Sequence, residues 1–293
     1  MYDELAREFN EHRAVLVGAA YRVVGTVADA EDVVQEAWLR WADADHDEIR
    51  DVRAYLITIT TRLALNRLRQ QKTRRESYVG PWLPEPVASD PDPAEAAEVA
   101  DSVSMAMLVV LETLTPLERA VFVMRDVFEL PFSEIATALD RSEAAIRQLA
   151  HRARSHVHAR RPRQPVEPGQ QAELTMRFLQ AAGDGDLDGL MSMLAPDVVL
   201  VSDGGGKRRA ALRPLHGPDN VARWLLGILA RTDTPELEIR LLVVNGERAL
   251  VGYDGDEPDI VGFVESDETG ITEVYLVRNP DKLGAVPRLS ELS

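Results

Sequence analysis

The sequence predicts a multidomain protein in which two all-α helical domains are followed by an α+β cone. Apolar residues recur at helical spacing through the first half of the chain, whereas strand-type stretches separated by turn residues dominate the last hundred residues. A chain of 293 residues has room for two or three domains of roughly 100–200 residues each. We therefore expect helical domains at 1–77 and 99–163, a proline-rich linker at 78–98 and the cone at 164–293.

Charge is spread unevenly along the chain, which carries a net charge of −16. Residues 53–75 contain seven Arg or Lys and no acid, and residues 141–163 contain seven Arg and one Glu. Residues 79–113, in contrast, contain seven acids and no base. Two basic islands in an acidic protein favour two separate contacts with nucleic acid, although two solvated helix faces would give the same pattern.

Composition also excludes or disfavours several classes of protein. The chain has no cysteine, which excludes disulfides and thiolate metal sites, and we predict neither a metal nor a cofactor. No apolar run approaches the roughly 18 residues that a membrane helix needs. The N-terminal stretch is acidic and amphipathic, unlike a signal peptide. These features predict a cytoplasmic protein with no membrane partner.

Three helices are predicted in the first domain, at 3–24, 28–44 and 52–71. Opposite its apolar side, the second helix carries a stripe of acidic and amide residues: Asp29, Asp32, Gln35 and Glu36. The third helix is expected to turn four apolar residues inward: Tyr55, Ile59, Leu63 and Leu68. Its outer side then presents polar and basic residues suited to DNA: Arg62, Asn66, Arg67, Arg69 and Lys72.

The linker contains five prolines between Pro81 and Pro93, which exclude a helix and stiffen the backbone. It also contains Trp82 and Leu83, followed by Pro84. A pure spacer does not need a Trp, so we interpret the linker as a docking segment. A simple anchor on a neighbouring domain is the alternative.

Residues 114–163 predict a helix-turn-helix. Pro116 and Pro131 suit the first turns of two helices, and Asp140 with Arg141 forms the turn before a third. Asp tolerates the left-handed conformation that such turns often need, and Ser142 is a strong N-cap candidate. The third helix has one apolar stripe, formed by Ile146, Ala150, Ala153 and Val157.

The other side of this third helix is basic and polar, as expected of a helix that lies in the DNA major groove. Arg and Gln can hydrogen-bond base edges and phosphates at that depth. An amphipathic helical hairpin with a solvated basic face is the alternative. The candidate DNA-binding residues are Ser142, Arg147, Gln148, His151, Arg152 and Arg154.

The last 130 residues change character, because two helices are followed by strands. Asn245–Gly246 between two apolar stretches is the strongest short signal for a hairpin. Helices followed by a curved antiparallel sheet predict an α+β cone. The predicted helices are 170–182, 186–194 and 218–229, and the predicted strands are 198–203, 208–217, the two hairpin strands, 259–266 and 271–279.

The motif DAEDVVQEAW, followed by a helix that ends in a basic run, resembles region 2 of the bacterial sigma-70 family. Residues 114–160 are similar to region 4 of that family, and the absence of its other large regions points to the extracytoplasmic-function (ECF) group. The resemblance implies that the acidic stripe binds the β′ clamp helices of core RNA polymerase, with β as a further partner. It also implies that the third helix of the first domain opens the −10 promoter element and that the last helix of region 4 reads the −35 element.

The cone is similar to SnoaL-like domains of the nuclear-transport-factor-like superfold, some of which are enzymes. The linker motif VGPWLPEP and two further short motifs together resemble SigJ-type ECF sigma factors that carry a fused SnoaL-like domain. The resemblance implies regulation in cis through contacts between these motifs. Beside Trp82, Leu83 and Pro84, the motif residues are Asp203, Gly204, Gly205, Gly206 and Lys207, and Asn279, Pro280, Asp281, Lys282 and Leu283.

We therefore expect a promoter-specific sigma factor that is not an enzyme. The glycine-rich motif is not a phosphate loop, because GxxxxGK[ST] is absent; a flexible hairpin loop is its other interpretation. The candidates for a catalytic base in the cone are Asp197, His216 and Asp254, by residue type alone. Two alternatives stay open: a one-component DNA-binding regulator with a small-molecule ligand in the cone, and a cone enzyme fused to a DNA-binding module.

Overall fold

The computed structural model describes residues 2–88, 104–160, 168–229 and 237–292. The chain divides into two compact units. The helical unit comprises Met1–Ser77 and Ser89–Arg161, and the C-terminal unit comprises Tyr78–Ala88 and Pro162–Ser293. Residues 78–88, the first part of the linker, thus belong to the C-terminal unit, although the rest of that unit begins only at Pro162.

The helical unit begins with three mutually packed helices, α1 (Tyr2–Val24), α2 (Val27–Ala42) and α3 (Val52–Glu76). The prediction of which α3 residues point inward was partly wrong, because Tyr55, Ile59 and Leu63 are only half-buried. The buried stripe follows Leu56, Thr60, Ala64 and Leu68 instead, and the helix packs against later helices as well as against α1 and α2. Within 52–71 its buried residues are Leu56, Ile57, Thr60, Thr61, Ala64, Leu65 and Leu68.

Residues 104–160 form four further helices: α4 (Met105–Glu112), α5 (Pro116–Phe122), α6 (Phe132–Leu139) and α7 (Glu143–Arg160). A π-helical turn, Val123–Val127, extends α5. Thr115 and Glu118 form a reciprocal capping box at the start of α5, in which each side chain accepts a hydrogen bond from the backbone N–H of the other. The two N–H groups that α5 would otherwise leave unpaired at its start are therefore satisfied.

The turn between α6 and α7 has the predicted chemistry. Asp140 adopts the left-handed conformation, with φ of 51° and ψ of 59°. The Ser142 hydroxyl accepts a hydrogen bond from the Ala145 N–H at 3.2 Å, as an N-cap should. The apolar stripe of α7 is buried as predicted, at Ile146, Ala150, Ala153 and Val157.

The two helical domains pack together within this unit, and Arg119 joins them. Its guanidinium is 2% exposed and donates a hydrogen bond of 2.8 Å to the carbonyl oxygen of Val23 at the end of α1. It also forms an ion pair of 2.6 Å with Glu112 on α4. A buried arginine must be paired in this way because an isolated buried charge is strongly destabilising.

The C-terminal unit packs three helices, α8 (Pro168–Asp184), α9 (Leu187–Met193) and α10 (Pro218–Leu229), on a six-stranded sheet. The strand order is β2-β1-β6-β5-β4-β3. The strands are β1 (Leu194–Asp203), β2 (Leu215–His216), β3 (Glu238–Val244), β4 (Glu247–Asp254), β5 (Glu257–Asp267) and β6 (Gly270–Val277). One apolar core lies between helices and sheet, and Leu190, Val198, Val221 and Val264 contribute to it.

Two expectations about the sheet were wrong. First, β1 pairs with β6 in parallel, so the sheet is mixed rather than wholly antiparallel. Second, only Leu215–His216 of the predicted strand 208–217 is a strand. The preceding residues fold back instead, because Ser202 accepts a hydrogen bond from the Ala211 N–H and Arg208 pairs with Asp259. The predicted hairpin is confirmed, with Asn245 and Gly246 both at positive φ.

Candidate functional site

The four residues of the acidic stripe on α2 differ in their exposure to solvent. The Asp29 side chain is 19% exposed and accepts hydrogen bonds from the Thr26 hydroxyl at 2.6 Å and from Arg67 at 2.8 Å. Burial acts to raise the pKa of Asp29, but these hydrogen bonds outweigh it and keep the pKa below its ordinary value. Asp32, Gln35 and Glu36 are exposed, so they form the part of the stripe that a partner can reach.

On α3, the polar residues predicted for DNA divide in the same way. Arg62, Asn66 and Arg69 are exposed. Arg67 lies instead between two carboxylates of α2, donating to Asp29 and, at 2.9 Å, to Asp32. Arg67, which the sequence predicts to bind −10 DNA, is thus hydrogen-bonded to two residues that the sequence predicts to bind polymerase. The side chain of Lys72 lies outside the part of the chain that the structure describes.

The exposed face of α3 meets the helix-turn-helix at a cleft of about 190 Å³. Arg62, Asn66 and Arg69 line one side, and the turn residues Asp140 and Arg141 line the other, together with Leu65, Leu117, Ala138 and Leu139. The −10 candidates of α3 therefore border the turn that precedes α7, whereas none of the −35 candidates lines this cleft. Its charged lining residues are Arg62, Arg69, Arg141 and Asp140, a net positive charge that would attract phosphates.

The candidate residues of α7 are held by very different contacts. Arg147 pairs with Glu143 at 2.7 Å and lies 4.8 Å from the centre of the Phe132 ring. Arg152 pairs with the buried Glu118 at 2.8 Å, and Arg154 pairs with Asp126 at 2.6 Å. Gln148 and His151 are exposed, and their side chains form no hydrogen bond with another described residue. Gln148 and His151 are consequently the groups that can turn to a base without breaking an ion pair.

Glu118 shows that the Arg152 contact belongs to the framework of the helix-turn-helix. Burial acts to raise the pKa of Glu118, but hydrogen bonds from Thr115 and Arg152 hold it below its ordinary value. The carboxylate therefore stays charged and joins the start of α5 to the middle of α7. Ser142 is likewise engaged, as the N-cap of α7.

The three short motifs meet in the C-terminal unit around Asp203, the last residue of β1, whose side chain is fully buried. Its carboxylate accepts hydrogen bonds from the Tyr78 hydroxyl at 2.6 Å and from the Leu83 N–H at 2.9 Å. The Lys282 ammonium pairs with it at 2.7 Å and also donates to the Leu83 carbonyl oxygen. We call Tyr78, Leu83, Asp203, Asn279 and Lys282 the linker site.

Aromatic rings enclose the ammonium in the linker site. Lys282 Nζ lies 3.8 Å from the centre of the Trp82 ring and 5.0 Å from that of Tyr78, within the range of cation–π attraction. Trp82 itself is half-buried, whereas Leu83 is 1% exposed. Asn279 donates a hydrogen bond of 2.8 Å to the Tyr78 hydroxyl. Burial, together with the hydrogen bond to Asp203, raises the pKa of Tyr78.

After Leu83 the linker reaches the β3–β4 hairpin. Val87 and Asn245 exchange two hydrogen bonds, and Ala88 forms a bridge with Val244. The Ala88 N–H also donates to the Ala285 carbonyl oxygen. Residues 78–88 are therefore held at both ends by the C-terminal unit.

Two glycines of the DGGGK motif are needed where they stand. Gly205 and Gly206 have φ of 58° and 72°, in the left-handed region that disfavours other residues. A Cβ on Gly205 would lie 2.4 Å from Asn279 Nδ2, and one on Gly206 would lie 3.2 Å from Val79 Cβ. The close approach expected of this loop is thus an approach to the linker and to the third motif. Lys207 forms an exposed ion pair with Asp281.

Comparison with known proteins identifies the family. The Sigma-70 region 2 family matches residues 9–74, Sigma-70 region 4 matches residues 104–157, and the SnoaL-like domain matches residues 176–270. The chain is 42% identical to the ECF RNA polymerase sigma factor SigJ of Mycobacterium tuberculosis (strain ATCC 25618 / H37Rv), over 96% of this chain and 93% of SigJ. The chain belongs to the ECF RNA polymerase sigma factors.

Two further comparisons agree with this family. The crystal structure of M. tuberculosis SigJ matches with a TM-score of 0.77 at 37% identity, covering 96% of this chain and 99% of the other. A probable ECF sigma factor of M. tuberculosis (strain CDC 1551 / Oshkosh), SigI, is 40% identical over 67% of this chain and 69% of its own length. The sigma-70 domains of this ECF sigma factor imply core RNA polymerase and promoter DNA as partners.

The sheet of this ECF sigma factor does not bring the three catalytic candidates together. Asp197, His216 and Asp254 are all exposed, and Asp254 ends a strand that lies three positions from β1 in the sheet. No group of three potential metal ligands occurs among residues 2–88, 104–160, 168–229 and 237–292. No helix in those same ranges is long and apolar enough to cross a membrane.

Sequence reasoning missed Tyr78, although its hydroxyl contacts both Asp203 and Asn279. The available signal was its position immediately before the VGPWLPEP motif, because a tyrosine hydroxyl next to a docking segment usually finds a hydrogen-bond partner. The pairing of Arg67 with α2 was also missed, because helical periodicity predicts the side of the helix on which a residue lies but not the residue that it contacts.

Proposed function

We propose that this ECF sigma factor directs core RNA polymerase to specific promoters and is regulated in cis by its C-terminal unit. In this proposal region 2 spans 1–77, the linker 78–98, region 4 99–163 and the regulatory domain 164–293. Asp32, Gln35 and Glu36 bind the β′ clamp helices, while region 4 contributes a second contact, on β. The exposed α3 residues and Lys72 bind the −10 element, and the exposed side of α7 reads the −35 element.

The observation that supports polymerase binding is the exposed acidic face of α2 beside a basic helix. A plain DNA-binding regulator has no use for such a face, since it repels phosphates. Exchanging Asp32 and Glu36 for Lys should therefore abolish binding to core polymerase. The fold should survive, because both side chains are more than half exposed.

The matched control changes the charge by the same amount elsewhere in region 2. Glu4 and Glu11 are exposed on α1 and form no ion pair within the described part of the chain. Glu4→Lys with Glu11→Lys should leave polymerase binding within about twofold, as expected for surface charges outside the contact. Equal binding by the Asp32→Lys, Glu36→Lys chain and this control would contradict the proposal.

Regulation in cis is supported by the connectivity of the linker. Region 2 ends at Ser77, and the next residue is held by Asp203 and Asn279 of the C-terminal unit. Because residues 78–88 are held there, they are not available as free chain between region 2 and region 4. A docked linker thereby limits the separations that the two DNA-binding regions can reach.

Truncation tests this regulation. A chain that ends at Arg278 loses Asn279 and Lys282 from the linker site, and we expect it to initiate more strongly because the linker is released. A chain that ends near Arg163 lacks the whole domain, and we expect weaker initiation. Promoter-specific transcription with core polymerase measures both. Activity equal to that of the full chain in both truncations would remove the regulatory role.

We further propose that the regulatory domain acts by binding rather than by catalysis, with a small-molecule ligand in the cone as a secondary possibility. The support is that its three catalytic candidates are exposed and that its interior is an apolar core. Ligand-dependent thermal shifts of the full chain, screened with apolar small molecules, test the second part of the proposal.

A further inference from the structure

Arg67 lies on the basic helix α3, but its contacts are with α2. We propose that Arg67 is a positioning residue, which acts together with Asp29 to hold the polymerase-binding face of α2 on α3, and that it does not read −10 DNA. This inference rests on the proposed function and revises the role that the sequence predicted for Arg67. It concerns contacts within region 2 only.

The first step is the geometry of the guanidinium. Arg67 Nε donates to Asp29 Oδ1 at 2.8 Å, and Nη2 donates to Asp32 Oδ2 at 2.9 Å. The two carboxylates are three residues apart on α2, so they lie on one face of that helix. The rigid, planar donor set of arginine can bridge two such carboxylates, whereas the single ammonium of lysine cannot do so with the same geometry.

The second step is the difference between the two carboxylates. Asp29 also accepts hydrogen bonds from Thr26 and Gln71, and its side chain is only 19% exposed. It is therefore committed to contacts within the protein. Asp32 is 60% exposed, and its Oδ1 atom accepts no hydrogen bond from another described residue. Arg67 thus fixes the Asp32 side chain through one oxygen and leaves the other for a partner.

The third step is the contrast with the neighbouring arginines. Arg62 and Arg69 are exposed on the same helix and form no ion pair among the described residues. Two of the five N–H donors of Arg67 are committed to charge-assisted hydrogen bonds with α2, which are stronger than neutral ones and hold the guanidinium towards α2. Among the described residues Arg62 and Arg69 have no such commitment, so they are the better DNA-binding residues.

The sign of one substitution separates positioning from simple electrostatics. Removing the Arg67 charge makes the α2 face more negative, which by charge alone strengthens attraction to a basic partner. Positioning predicts the opposite, because Asp29 and Asp32 would then repel each other and Asp32 would lose its fixed orientation. Weaker binding after the loss of a positive charge is therefore the distinguishing result.

The experiment measures the dissociation constant for core RNA polymerase with full-length Arg67→Ala, Arg67→Lys, Asp29→Asn and the double variant Asp29→Asn, Arg67→Ala. We expect each Ala or Asn variant to weaken binding about three- to tenfold, the range of coupled charge networks. The double variant should bind polymerase no more weakly than the weaker-binding of the two single variants. Arg67→Lys should bind more tightly than Arg67→Ala. At saturating polymerase, Arg67→Ala should keep the wild-type preference across a set of −10 substitutions.

Arg69→Ala is the matched control, because it removes the same side chain two positions along α3. It should keep polymerase binding and change −10 preference or promoter affinity. The inference is overturned if Arg67→Ala binds polymerase as well as the wild type or better, or if it alters −10 preference as Arg69→Ala does. Should Arg67→Ala fail to fold by circular dichroism, Arg67→Lys and Asp29→Asn decide by the same criteria. Intact binding by the Asp32→Lys, Glu36→Lys chain would instead refute the proposed polymerase face itself.

Discussion

Asp203 is the residue on which the linker depends. Its side chain is fully buried and faces a buried ammonium, and each ion loses several kcal/mol of hydration on burial. Bonds from Tyr78, Leu83 and Gly205 complete the acceptor capacity of the carboxylate. A buried pair of this kind adds little net stability, yet it is strongly destabilising to remove one partner alone.

The first prediction follows from that asymmetry. Asp203→Asn or Lys282→Met should destabilise the C-terminal unit by about 3–5 kcal/mol, because each leaves the other charge buried and unpaired. Urea unfolding measures the loss, and hydrogen exchange should show faster exchange of the Leu83 amide. The control is Lys207→Met, which breaks the exposed pair with Asp281 and should cost less than about 1 kcal/mol. Equal losses for Lys207 and Lys282 would contradict this account.

Glu265 gives a prediction about pH. It pairs in register with Glu273 across β5 and β6, and burial raises its pKa from 4.5 to about 7, with the Glu273 charge adding to the effect and a hydrogen bond with Glu247 opposing it. A pKa raised in the folded state means that the fold binds the proton more tightly than the unfolded chain. The resulting stabilisation is present below pH 4.5 and is lost as the pH rises through about 7.

Glu265→Gln should therefore reduce the dependence of unfolding temperature on pH between about 5 and about 8, and it should stabilise the unit at the upper end. Thermal unfolding at a series of pH values measures this. Glu268→Gln, an exposed change in the β5–β6 turn, should keep the wild-type pH dependence. A steep dependence that survives Glu265→Gln would show that another group titrates.

Among the elements, α7 carries both framework and candidate reading residues. Gln148→Ala should relax base preference at one or two positions of the −35 element, by about 1–3 kcal/mol for a lost bidentate contact. Arg152→Ala should weaken all promoter sequences about equally and lower the stability of region 4, because it leaves the Glu118 carboxylate without its ion pair. Holoenzyme binding to a panel of −35 variants measures both. Loss of base preference in Arg152→Ala alone would reverse the assignment.

The same elements show how far sequence reasoning extends. The stripe on α7 and the left-handed Asp140 were predicted because one helix face and one turn position are local properties. The ion pairs of Arg67 and Arg152 join residues 38 and 34 positions apart, and helical periodicity carries no information about them. The parallel pairing of β1 with β6 is equally non-local. Short motifs indicated which segments meet at the linker site, but not that Asp203 would be their common acceptor.

For the whole molecule, the arrangement of the helical unit limits what it can bind at once. By their numbering, the −10 and −35 elements lie about 25 base pairs apart, or roughly 85 Å at about 3.4 Å per base pair. Helix α7 has 18 residues and hence a length of about 27 Å, and it begins beside the cleft that α3 lines. Because α7 starts at that cleft, α3 and α7 cannot contact both elements together in this arrangement.

The fourth prediction is that the helical unit opens when it binds promoter DNA with polymerase. The cysteine-free chain allows specific labelling through Gln70→Cys on α3 and Ser155→Cys on α7, both at exposed positions. Energy transfer between the two dyes should be high in the free protein and fall on formation of the promoter complex. A pair within region 2, at Glu11→Cys and Gln70→Cys, should stay unchanged. Constant transfer in both pairs would mean that no opening occurs.

During translation, the linker site can form only after nearly the whole chain has been synthesised. Leu83 is synthesised 199 residues before Lys282, the side chain that closes on its carbonyl oxygen. Domains generally fold as they emerge from the ribosome, N-terminal part first. Both sigma regions are therefore made and able to fold while the segment between them still lacks its binding site. A nascent chain passes through a stage with an undocked linker, and only the arrival of the Asn279–Leu283 segment ends it.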